Sequence, residues 1–467
     1  TNMQGMFTNA TSFNSDLNSW DVSSVTNMQG MFTNATSFNS DLNSWDVSSV
    51  TNMQSMFQFA TYFNKDLNSW NVSSVTNMQS MFYNATSFNK DLNSWNVSNV
   101  IQMQSMFNTA TSFNGNITSW DTSSVTNMQY MFNTATSFNQ DIGFWNVSNV
   151  IQMQSMFQSA TSFNSDLNSW DVSSVTNMQS MFQSATSFNS DLNSWDVSSV
   201  TNMISMFQSA TYFNKDLNSW DVSSVAYMRY MFNNATDFNG NITSWDTSSV
   251  TTMQSMFNTA TSFNQDIGSW NVINLASSTA MQYMFNDAYS FDYPLCNWQP
   301  STYYIYLPSN WSTDSADATI IGWSQNWSTL SSKAIYYGGN YCHSSDIRTY
   351  LTQTYNWNFY YSGNYNCSQG SSDLSDIISI CSTQGAFTPI TNSNLQAAID
   401  LWDNYESVAM IEYGHITDWD VSNVTNMSNA FSGHSTLNED LSLWDVSNVT
   451  NMQGMFTNAT SFNSDLN

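Results

Sequence analysis

Apolar residues recur with a period of 25 along most of the chain. The opening segment, TNMQGMFTNATSFNSDLNSWDVSSV, returns in register at residues 26, 51, 76, 101, 126, 151, 176, 201, 226 and 251. These eleven units cover residues 1–275, and a degenerate twelfth unit runs from Met281 to Trp298. A unit of this length cannot bury a core of its own, so we predict that successive units stack as the coils of a solenoid.

Each unit contains apolar positions that we predict to face the solenoid core. The first four have the i, i+3, i+4, i+7 spacing of one or two helical turns. The segment from Phe13 to Trp20 lacks this spacing, and we predict that it forms one short parallel strand per coil. The Asn14 column is predicted to bond backbone groups that a turn leaves open. The apolar columns begin at Met3, Met6, Phe7, Ala10, Phe13, Leu17, Trp20, Val22 and Val25.

A stripe of Met and Trp could instead line a ligand channel, but its equal spacing in every coil favours packing.

Two of the units share a sequence that differs from that of the other units. Units five and ten share the segment GNITSWDTSSV, at Gly115–Val125 and Gly240–Val250. This repetition indicates that a block of five units was copied whole.

The 25-residue period is absent between residues 300 and 386. All four prolines and all four cysteines lie between Pro294 and Pro389, among many tyrosines and tryptophans. We therefore predict a repeat solenoid of twelve coils at 1–299, a Cys- and aromatic-rich module at 300–386, a helical cap at 387–424 and the start of a second solenoid at 425–467. Because the chain starts at the first residue of a unit and stops inside another, with no signal peptide, we expect a segment of a longer protein.

The predicted cap begins with an amphipathic helix. Ser393 and Gln396 have the spacing of a capping box, and an apolar stripe follows along one helical face. Such a helix is what the open end of a solenoid needs to cover its core. The stripe consists of Leu395, Ala398, Ile399 and Trp402.

Charged residues make up only 9% of the chain, and Asp and Glu outnumber Lys and Arg by 34 to 6. The net charge of −28 argues against binding to nucleic-acid phosphates or anionic lipids, which require clustered basic residues. No apolar run approaches the ~18 residues of a membrane span. We therefore expect neither a nucleic-acid partner nor a membrane span in this segment.

The repeat motif resembles a known family. Residues Val25 to Ser48 carry the pattern VTNM-x-x-MF-x-x-A-x-x-FN-x-D-L-x-x-WDVS, and a helix followed by YG-x-I-x-x-WDVS-x-VTNM matches Leu395–Trp402 and Tyr413–Met427. These features are similar to the BspA-like leucine-rich-repeat surface proteins, also described as a Mycoplasma lipoprotein-associated repeat. The resemblance implies a leucine-rich-repeat-like solenoid that is secreted or exposed at the cell surface, with adhesive or structural roles and no catalytic residues. The module at 300–386 does not match this pattern.

The cysteines are confined to one part of the chain and predict two disulfides. No CxxC, CxxH or HExxH spacing supports a metal site, although free or metal-binding thiols are the alternative. Disulfides would staple a small, loop-rich module and persist only in an oxidising compartment, so we expect an extracellular or cell-surface location. The residues are Cys296, Cys342, Cys367 and Cys381, whose three possible pairings the sequence does not distinguish.

Many asparagines lie in N-x-S/T sequons and are candidates for covalent glycans. The high content of Asn, Ser and Thr would produce as many sequons by chance, so their number alone indicates nothing. Those in NAT segments lie between the predicted helical turn and strand, where a glycan would point outward. Asn426 also has the sequon but lies too close to Asn423 for both to carry a glycan. The candidates are Asn9, Asn34, Asn71, Asn84, Asn96, Asn116, Asn146, Asn234, Asn241, Asn310, Asn326, Asn366, Asn423, Asn448 and Asn458.

A column of aspartates offers oxygen ligands for a calcium ion. Successive coils would place these carboxylates about 4.8 Å apart, where like charges repel unless cations or backbone N–H groups intervene. Oxygen-only ligand sets suit Ca²⁺, whereas a bond to the adjacent turn is the commoner role for such residues. The calcium candidates are Asp16, Asp41, Asp66 and Asp91, and we expect no other cofactor.

No catalytic site is predicted. His343, His415 and His434 have no visible arrangement of partners, and the chain contains no GxSxG, P-loop or dinucleotide-binding motif. Pairs of carboxylates recur in most coils, which is typical of a scaffold and not of an active site.

Two non-enzymatic functions fit these features. The first is an extracellular structural protein, a glycosylated solenoid that associates with itself to form or coat a surface filament or continuous fibre. The second is an adhesin that recognises host proteins or glycans. The near-identical coils favour the structural function, because a binding face varies from unit to unit at a few outward positions. The Tyr- and Trp-rich module is the best support for an adhesin, since exposed aromatic rings stack on sugars and anchor interfaces.

Overall fold

The computed structural model describes residues 1–308, 310–326, 332–337, 341–342, 344–361, 377, 387–464 and 466. The chain divides into two compact units. Unit 1 consists of Thr1–Gln265, Trp270–Phe291 and Pro300–Thr302. Unit 2 consists of Asp266–Ser269, Asp292–Gln299 and Tyr303–Asn467. Unit 1 is a repeat solenoid whose coils follow the 25-residue period.

Each coil of unit 1 is a succession of tight turns. In the segment from Met3 to Ala10, every second N–H donates to a carbonyl three residues earlier, as Met6 does to Met3 at 3.3 Å. The N–H groups in between donate to the next coil, as Phe7 does to Met31 at 2.8 Å. The remaining N–H, that of Gln4, donates to the Asn2 side chain. The segment thus satisfies all its N–H groups, half of them by joining one coil to the next.

The coils therefore differ from those predicted. The helical turn predicted at Met3–Ala10 is wrong, and so is the strand predicted from Phe13 to Trp20. The parallel bridges instead join the second residue of successive coils, such as Asn2 and Asn27. The backbone is left-handed at Gly5 (φ 66°) and Asn9 (φ 62°), which interrupts any helix. A helix would also keep its N–H groups within the coil and leave none to hold coils together.

A positive φ recurs at the fifth and ninth residue of all eleven coils. Gly and Asn adopt this conformation at little cost, whereas a β-branched or bulky residue is strained there. Thr109 and Phe59 nevertheless occupy the ninth position, with φ of 60° each. Bonds to the next coil hold these residues in place, since the N–H of Thr109 donates to Asn133 at 2.7 Å. These two positions vary among coils because their backbone, not their side chain, has the structural role.

The predicted inward columns form the core, as expected. From the second to the eleventh coil, the side chains in these columns are at most 4% exposed. Phe7 and Phe13 stack 4.1 Å apart within their coil, and Phe7 stacks on Phe32 of the next coil at 5.4 Å. The same contacts recur along unit 1 and produce two continuous columns of rings.

The tryptophan column links coils by a side-chain hydrogen bond. The indole Nε1 of Trp45 donates to the carbonyl oxygen of Leu17, 28 residues earlier, at 3.0 Å. The same bond recurs in each coil up to Trp270, with distances of 2.9–3.2 Å. Each tryptophan thus fills the core and also satisfies a buried carbonyl of its neighbour.

The asparagine column beginning at Asn14 has the predicted role. Asn14 Oδ1 accepts the backbone N–H of Asn39 at 2.7 Å, and Asn39 Oδ1 accepts that of Asn64 at 3.0 Å. This ladder continues as far as Asn264, with distances of 2.8–3.0 Å. The prediction that this column bonds open backbone groups is confirmed.

Replacing Asn189 tests this ladder. We expect Asn189→Ala to lower the free energy of unfolding by about 1–2 kcal/mol, because the N–H of Asn214 loses its acceptor. Asn189→Asp keeps an acceptor oxygen and should cost less. Urea denaturation followed by circular dichroism measures both changes. Equal losses for the two variants would contradict the proposed role of the side-chain oxygen.

Unit 2 contains regular secondary structure. Its first part comprises β1 (Tyr304–Tyr306), α1 (Thr313–Asn326), β2 (Ala334–Tyr337), α2 (Ser345–Tyr355) and β3 (Asn358–Tyr361). The strands form a parallel sheet in the order β1-β2-β3, with Ile335 paired to Ile305 and to Phe359. Tyrosines stack along the sheet, since Tyr336 lies 5.0 Å from Tyr306 and 4.8 Å from Tyr360 between ring centres.

The predicted domain boundaries at 299 and 386 stay a prediction. The described residues from 303 to 361 lie in the same compact unit as the cap and the second array. Trp323, in α1, donates its Nε1 to Leu295 at 2.9 Å, with the same 28-residue separation as Trp45 and Leu17. The sequence period disappears here because helices with their own period connect the strands, while the tryptophan bond is retained.

The cap consists of α3 (Leu395–Asn404), α4 (Glu406–Tyr413) and a 3₁₀ turn (Ile416–Asp418). The predicted apolar stripe of α3 is buried and shares a core with Trp419 and Phe431 of the second array. The predicted capping box is wrong, because Asn394 is the N-cap residue and Oδ1 of Asn394 accepts the N–H of Thr391. Gln396 instead donates to Asp400 of α3 and to the carbonyl of Ala430. Among the described helices, none is long and apolar enough to cross a membrane.

Candidate functional site

The calcium candidates are bound by backbone N–H groups. Oδ1 of Asp16, Asp41 and Asp66 each accepts the N–H two residues later, at 2.8–2.9 Å. Asp91 accepts the N–H of Asn116 in the next coil at 2.9 Å. In the part of the chain that the structure describes, no three His, Cys, Asp or Glu side chains are grouped to hold a metal ion. Bonds to the backbone therefore account for this column without a cation.

A second column of aspartates, which includes Asp46, Asp121 and Asp196, closes a turn near the end of each coil. Asp196 accepts the N–H of Ser198 at 3.0 Å. Hydrogen bonds from the hydroxyl and then from the N–H of Ser198 hold the pKa of Asp196 below its ordinary value. The serine two residues later lowers the pKa of Asp46 and Asp121 in the same way. These carboxylates stabilise turns in their ionised form.

This chemistry predicts a loss of stability in acid. A carboxylate whose pKa is lowered by folding stabilises the fold above its unfolded pKa, and this stabilisation disappears as the pH falls through the folded value. We therefore expect the urea concentration at the midpoint of unfolding to decrease when the pH is lowered below about 4. Asp196→Asn should reduce this pH dependence and still fold, because Asn71 and Asn96 occupy the same column naturally. A midpoint as steeply pH-dependent in Asp196→Asn as in the parent would contradict this role.

The asparagines of the NAT sequons lie at the ninth position of a coil. Their place between a helix and a strand was wrongly predicted, because the described coils contain neither. Asn9, Asn234 and Asn458 are exposed, whereas Asn34 and Asn84 are half-buried. The Nδ2 of Asn34, the atom that would carry a glycan, donates to Asn9 at 2.9 Å. A glycan at Asn34 would therefore compete with a bond between coils.

Three other sequon asparagines have a more favourable position. Asn71, Asn96 and Asn146 are exposed, and each accepts at Oδ1 the N–H of the sequon serine at 3.1–3.2 Å. These bonds use the oxygen and not the Nδ2. Asn116 and Asn241 are half-buried, whereas Asn310, Asn423, Asn426 and Asn448 are exposed. The side chain of Asn326 and all of Asn366 lie outside the described structure.

The cysteines are only partly described. Cys296 and Cys342 are 6% and 4% exposed, and neither is a free thiol. Cys367 and Cys381 lie outside the described residues. The pairing of the four cysteines therefore stays a prediction.

Two of the three histidines make hydrogen bonds in or beside the cap. Nδ1 of His434 lies 2.8 Å from Oδ2 of Asp403, and its Nε2 lies 3.1 Å from Oδ1 of Asp400. Both carboxylates belong to α3, so this ring joins the second array to its cap. His415 bonds to Thr417 at the 3₁₀ turn. His343 lies outside the described residues. The sequence placed His415 and His434 in this region but did not predict their partners.

Sequence reasoning missed a pocket of about 420 Å³ in unit 2. The sequence feature that could have indicated this pocket is Arg348, one of six Lys and Arg residues in the chain. The guanidinium carbon lies 4.0 Å from the ring centre of Tyr341 and 5.2 Å from that of Phe359. The pocket is lined by Tyr341, Ser345, Arg348, Thr349, Thr352, Gln353, Trp357, Asn358, Phe359 and Tyr360.

The repeats match a known protein family. The sequence profile of a family described as "Mycoplasma protein of unknown function, DUF285" matches residues 1–120, 109–219, 212–306 and 373–467. The matched segments cover well over half of the chain. The chain belongs to this family. The DUF285 match includes both arrays and the cap, but it leaves out residues 307–372 and with them the pocket. No curated protein and no solved structure matches the chain.

Proposed function

We propose that the chain is a non-enzymatic structural protein of the cell exterior, a glycosylated solenoid that forms or coats a surface filament. The hydrogen bonds between coils carry this proposal. Each coil donates through the N–H groups of its third, fifth, seventh and ninth residues and accepts through the carbonyls of its second, fourth, sixth and eighth. The two faces of a coil are thus different and complementary, which is typical of head-to-tail association that does not close into a ring. The same bonds could join one array to another, including that of a second copy.

The polar chemistry of the coils supports a structural role. The Asp16 and Asp46 columns use their carboxylates to close turns, and the Asn14 column uses its amide oxygen to hold the next coil. An active site requires one coil whose groups differ from those of its neighbours. The recurrence of the same bonds in successive coils favours a scaffold.

An extracellular location belongs to the same proposal. The predicted disulfides require an oxidising compartment. The resemblance of the motif VTNM-x-x-MF to BspA-like surface proteins, read from Val25 to Phe32, implies the same location. An adhesin is the alternative function, and both functions would place the coils outside the cell.

The side-chain geometry supports a prediction about which sequons carry glycans. We expect Asn71, Asn96 and Asn146 to carry glycans more often than Asn34, because the Nδ2 of Asn34 already donates to Asn9. Mass spectrometry of peptides from the natively secreted protein, before and after enzymatic removal of N-linked glycans, measures the occupancy of each site. Unmodified peptides at all four sites would contradict the glycosylated form of the proposal.

Electron microscopy of the native secreted material tests the filament itself. We expect regular filaments, with a fibre-diffraction spacing of about 4.8 Å from the separation of neighbouring coils. Dispersed particles at every protein concentration would contradict the structural function and favour the adhesin. Filaments that lack this spacing would contradict assembly by the bonds that join the coils.

A further inference from the structure

The tenth coil of unit 1, residues 226–250, differs from the other coils on its surface. We propose that this surface forms a lateral contact with a second copy of the chain, in which Arg229 pairs with an exposed aspartate of that copy. The contact rests on the proposed function, because it names the surface through which neighbouring solenoids would associate side by side. The core of the tenth coil is the usual one, since Met228, Met231 and Phe232 are fully buried.

The differences between the fifth and tenth coils are concentrated in one segment. The two coils share the segment GNITSWDTSSV, but the tenth reads AYMRY at 226–230 where the fifth reads IQMQS at 101–105. Outside this segment they differ only at Asn234 and Asp237. The four changed residues of the segment flank the buried Met228, and none of them is itself buried. They are Ala226, Tyr227, Arg229 and Tyr230. Variation at a few outward positions of one coil is typical of a contact surface.

The guanidinium of Arg229 has no acceptor in its own solenoid. In most coils the fourth residue is a glutamine, and its oxygen accepts from the next coil, as Gln179 Oε1 does from Asn202 Nδ2 at 3.2 Å. Arginine has no such oxygen and can only donate. Its Nε is buried without a hydrogen-bond partner, and in the part of the chain that the structure describes no carboxylate lies within ion-pair distance of it. The charge of Arg229 is therefore open to an acceptor from outside the chain.

Two tyrosines accompany this arginine. The guanidinium carbon lies 5.3 Å from the ring centre of Tyr230, and Tyr227 is 47% exposed. A ring beside a guanidinium stabilises the cation and leaves its N–H groups free to form two parallel hydrogen bonds with a carboxylate. Tyrosine and arginine are also the residue types that contribute most to binding at protein interfaces. The surface therefore suits a carboxylate that belongs to a protein.

A partner must approach this surface from the side. Both faces of the tenth coil are occupied by its neighbours, since the N–H of Ser205 donates to the Arg229 carbonyl at 2.8 Å and the N–H of Tyr230 donates to the Gln254 carbonyl at 2.9 Å. Association of arrays end to end therefore cannot use this coil. A contact through Arg229 joins two solenoids laterally.

A second copy of the chain supplies the opposite charge. The chain has 34 acidic and 6 basic residues, and two such solenoids repel each other over most of their surface. Asp41 is exposed, and it uses Oδ1 to accept the N–H of Asn43 at 2.9 Å, which leaves Oδ2 for a partner. Aspartate recurs in this column in most coils, so Arg229 can meet a carboxylate in more than one register. The cation thus selects where two acidic solenoids touch.

Sedimentation velocity of the full chain at several salt concentrations tests the contact. We expect part of the self-association to weaken as salt is added, because an ion pair at a surface is screened. Arg229→Gln should weaken self-association at low salt about tenfold. This variant keeps the fold, because glutamine is the usual fourth residue of a coil.

The preceding coil offers a matched control for the charge. Lys215→Gln removes the same charge, and Gln140 and Gln265 occupy the same position in other coils. We expect it to change self-association by less than about twofold, because it lies in a different column. Equal weakening by Lys215→Gln and Arg229→Gln would show a general charge effect and overturn the contact.

A second pair of variants tests the tyrosine. Tyr227→Asn restores the residue that Asn202 provides in the ninth coil, and it should weaken self-association about threefold or more through the loss of an interface ring. Tyr62→Ser is the control, because Tyr62 is 66% exposed in another coil and Ser37 occupies the same position. Equal effects of the two variants would contradict a contact localised at the tenth coil.

The outcomes separate this contact from the filament itself. Self-association that Arg229→Gln leaves unchanged would overturn the contact and leave the proposed filament standing. A parent chain that stays monomeric at every concentration would overturn both. Polygalacturonate serves as a probe for a foreign acidic polymer: if it bound to a monomeric parent and not to Arg229→Gln, the surface would belong to such a polymer and not to a second copy.

Discussion

Replacing Trp145 with alanine is expected to lower the free energy of unfolding by about 3–5 kcal/mol. Trp145 is only 3% exposed, stacks on Trp120 at 5.9 Å and donates its Nε1 to Ile117 at 3.2 Å. The substitution removes a large buried ring and leaves the Ile117 carbonyl without this donor. Because a solenoid coil contacts only its neighbours, we also expect a broader urea transition, as the array separates into two less coupled parts.

The adjacent residue provides the control for this prediction. Phe144 is 87% exposed, so Phe144→Ala should change the stability by less than about 0.5 kcal/mol. Trp145→Phe keeps a ring but not the indole N–H, and its loss should lie between the other two. Circular dichroism during urea denaturation of the full chain measures all three variants. Equal losses for Trp145→Ala and Phe144→Ala would contradict the tryptophan column as a source of stability.

Gly115→Ala is expected to cost about 3 kcal/mol, at the upper end for overpacking. A Cβ at this position would overlap the carbonyl oxygen of Lys90 and lie 2.7 Å from its carbon. Backbone atoms cannot turn aside as a flexible side chain can, so the two coils would have to separate. Their close approach is maintained by the bond from the Leu92 N–H to the Asn116 carbonyl at 3.0 Å.

Two further glycines test this explanation. Gly240 has the same close contact with Lys215 in the tenth coil, so Gly240→Ala should cost a similar amount. Gly30→Ser is the control, because Gly30 has a φ of 61° and Ser55 occupies the same position with a φ of 57°. This change should cost about 1 kcal/mol. If Gly30→Ser were as destabilising as Gly115→Ala, the close approach of the coils would not explain the cost of Gly115→Ala.

The pattern of residues alone determined the repeat, the inward columns and the cap. Period and burial are visible in a sequence because a stacked coil must place apolar side chains at the same positions each time, as in the Phe7 and Trp20 columns. The Asn14 ladder was predictable for the same reason, since a polar column beside a buried ring must satisfy a nearby backbone group. The stripe of α3 was visible because a helix has its own apolar period.

Only the tertiary structure decided how the coils are bonded. The spacing of Met3, Met6, Phe7 and Ala10 fits a helix and a chain of turns equally well, and the choice depends on the sign of φ at the fifth and ninth residues. Ser, Thr, Tyr and Phe occupy these positions without any intrinsic preference for a positive φ, so their conformation is imposed by the bonds to the next coil. The pocket was hidden for a related reason, because the packing of α2 against β3 brings together residues around Arg348 that no local pattern connects. Local periods are encoded residue by residue, whereas bonds between coils and strands depend on partners about 25 residues away.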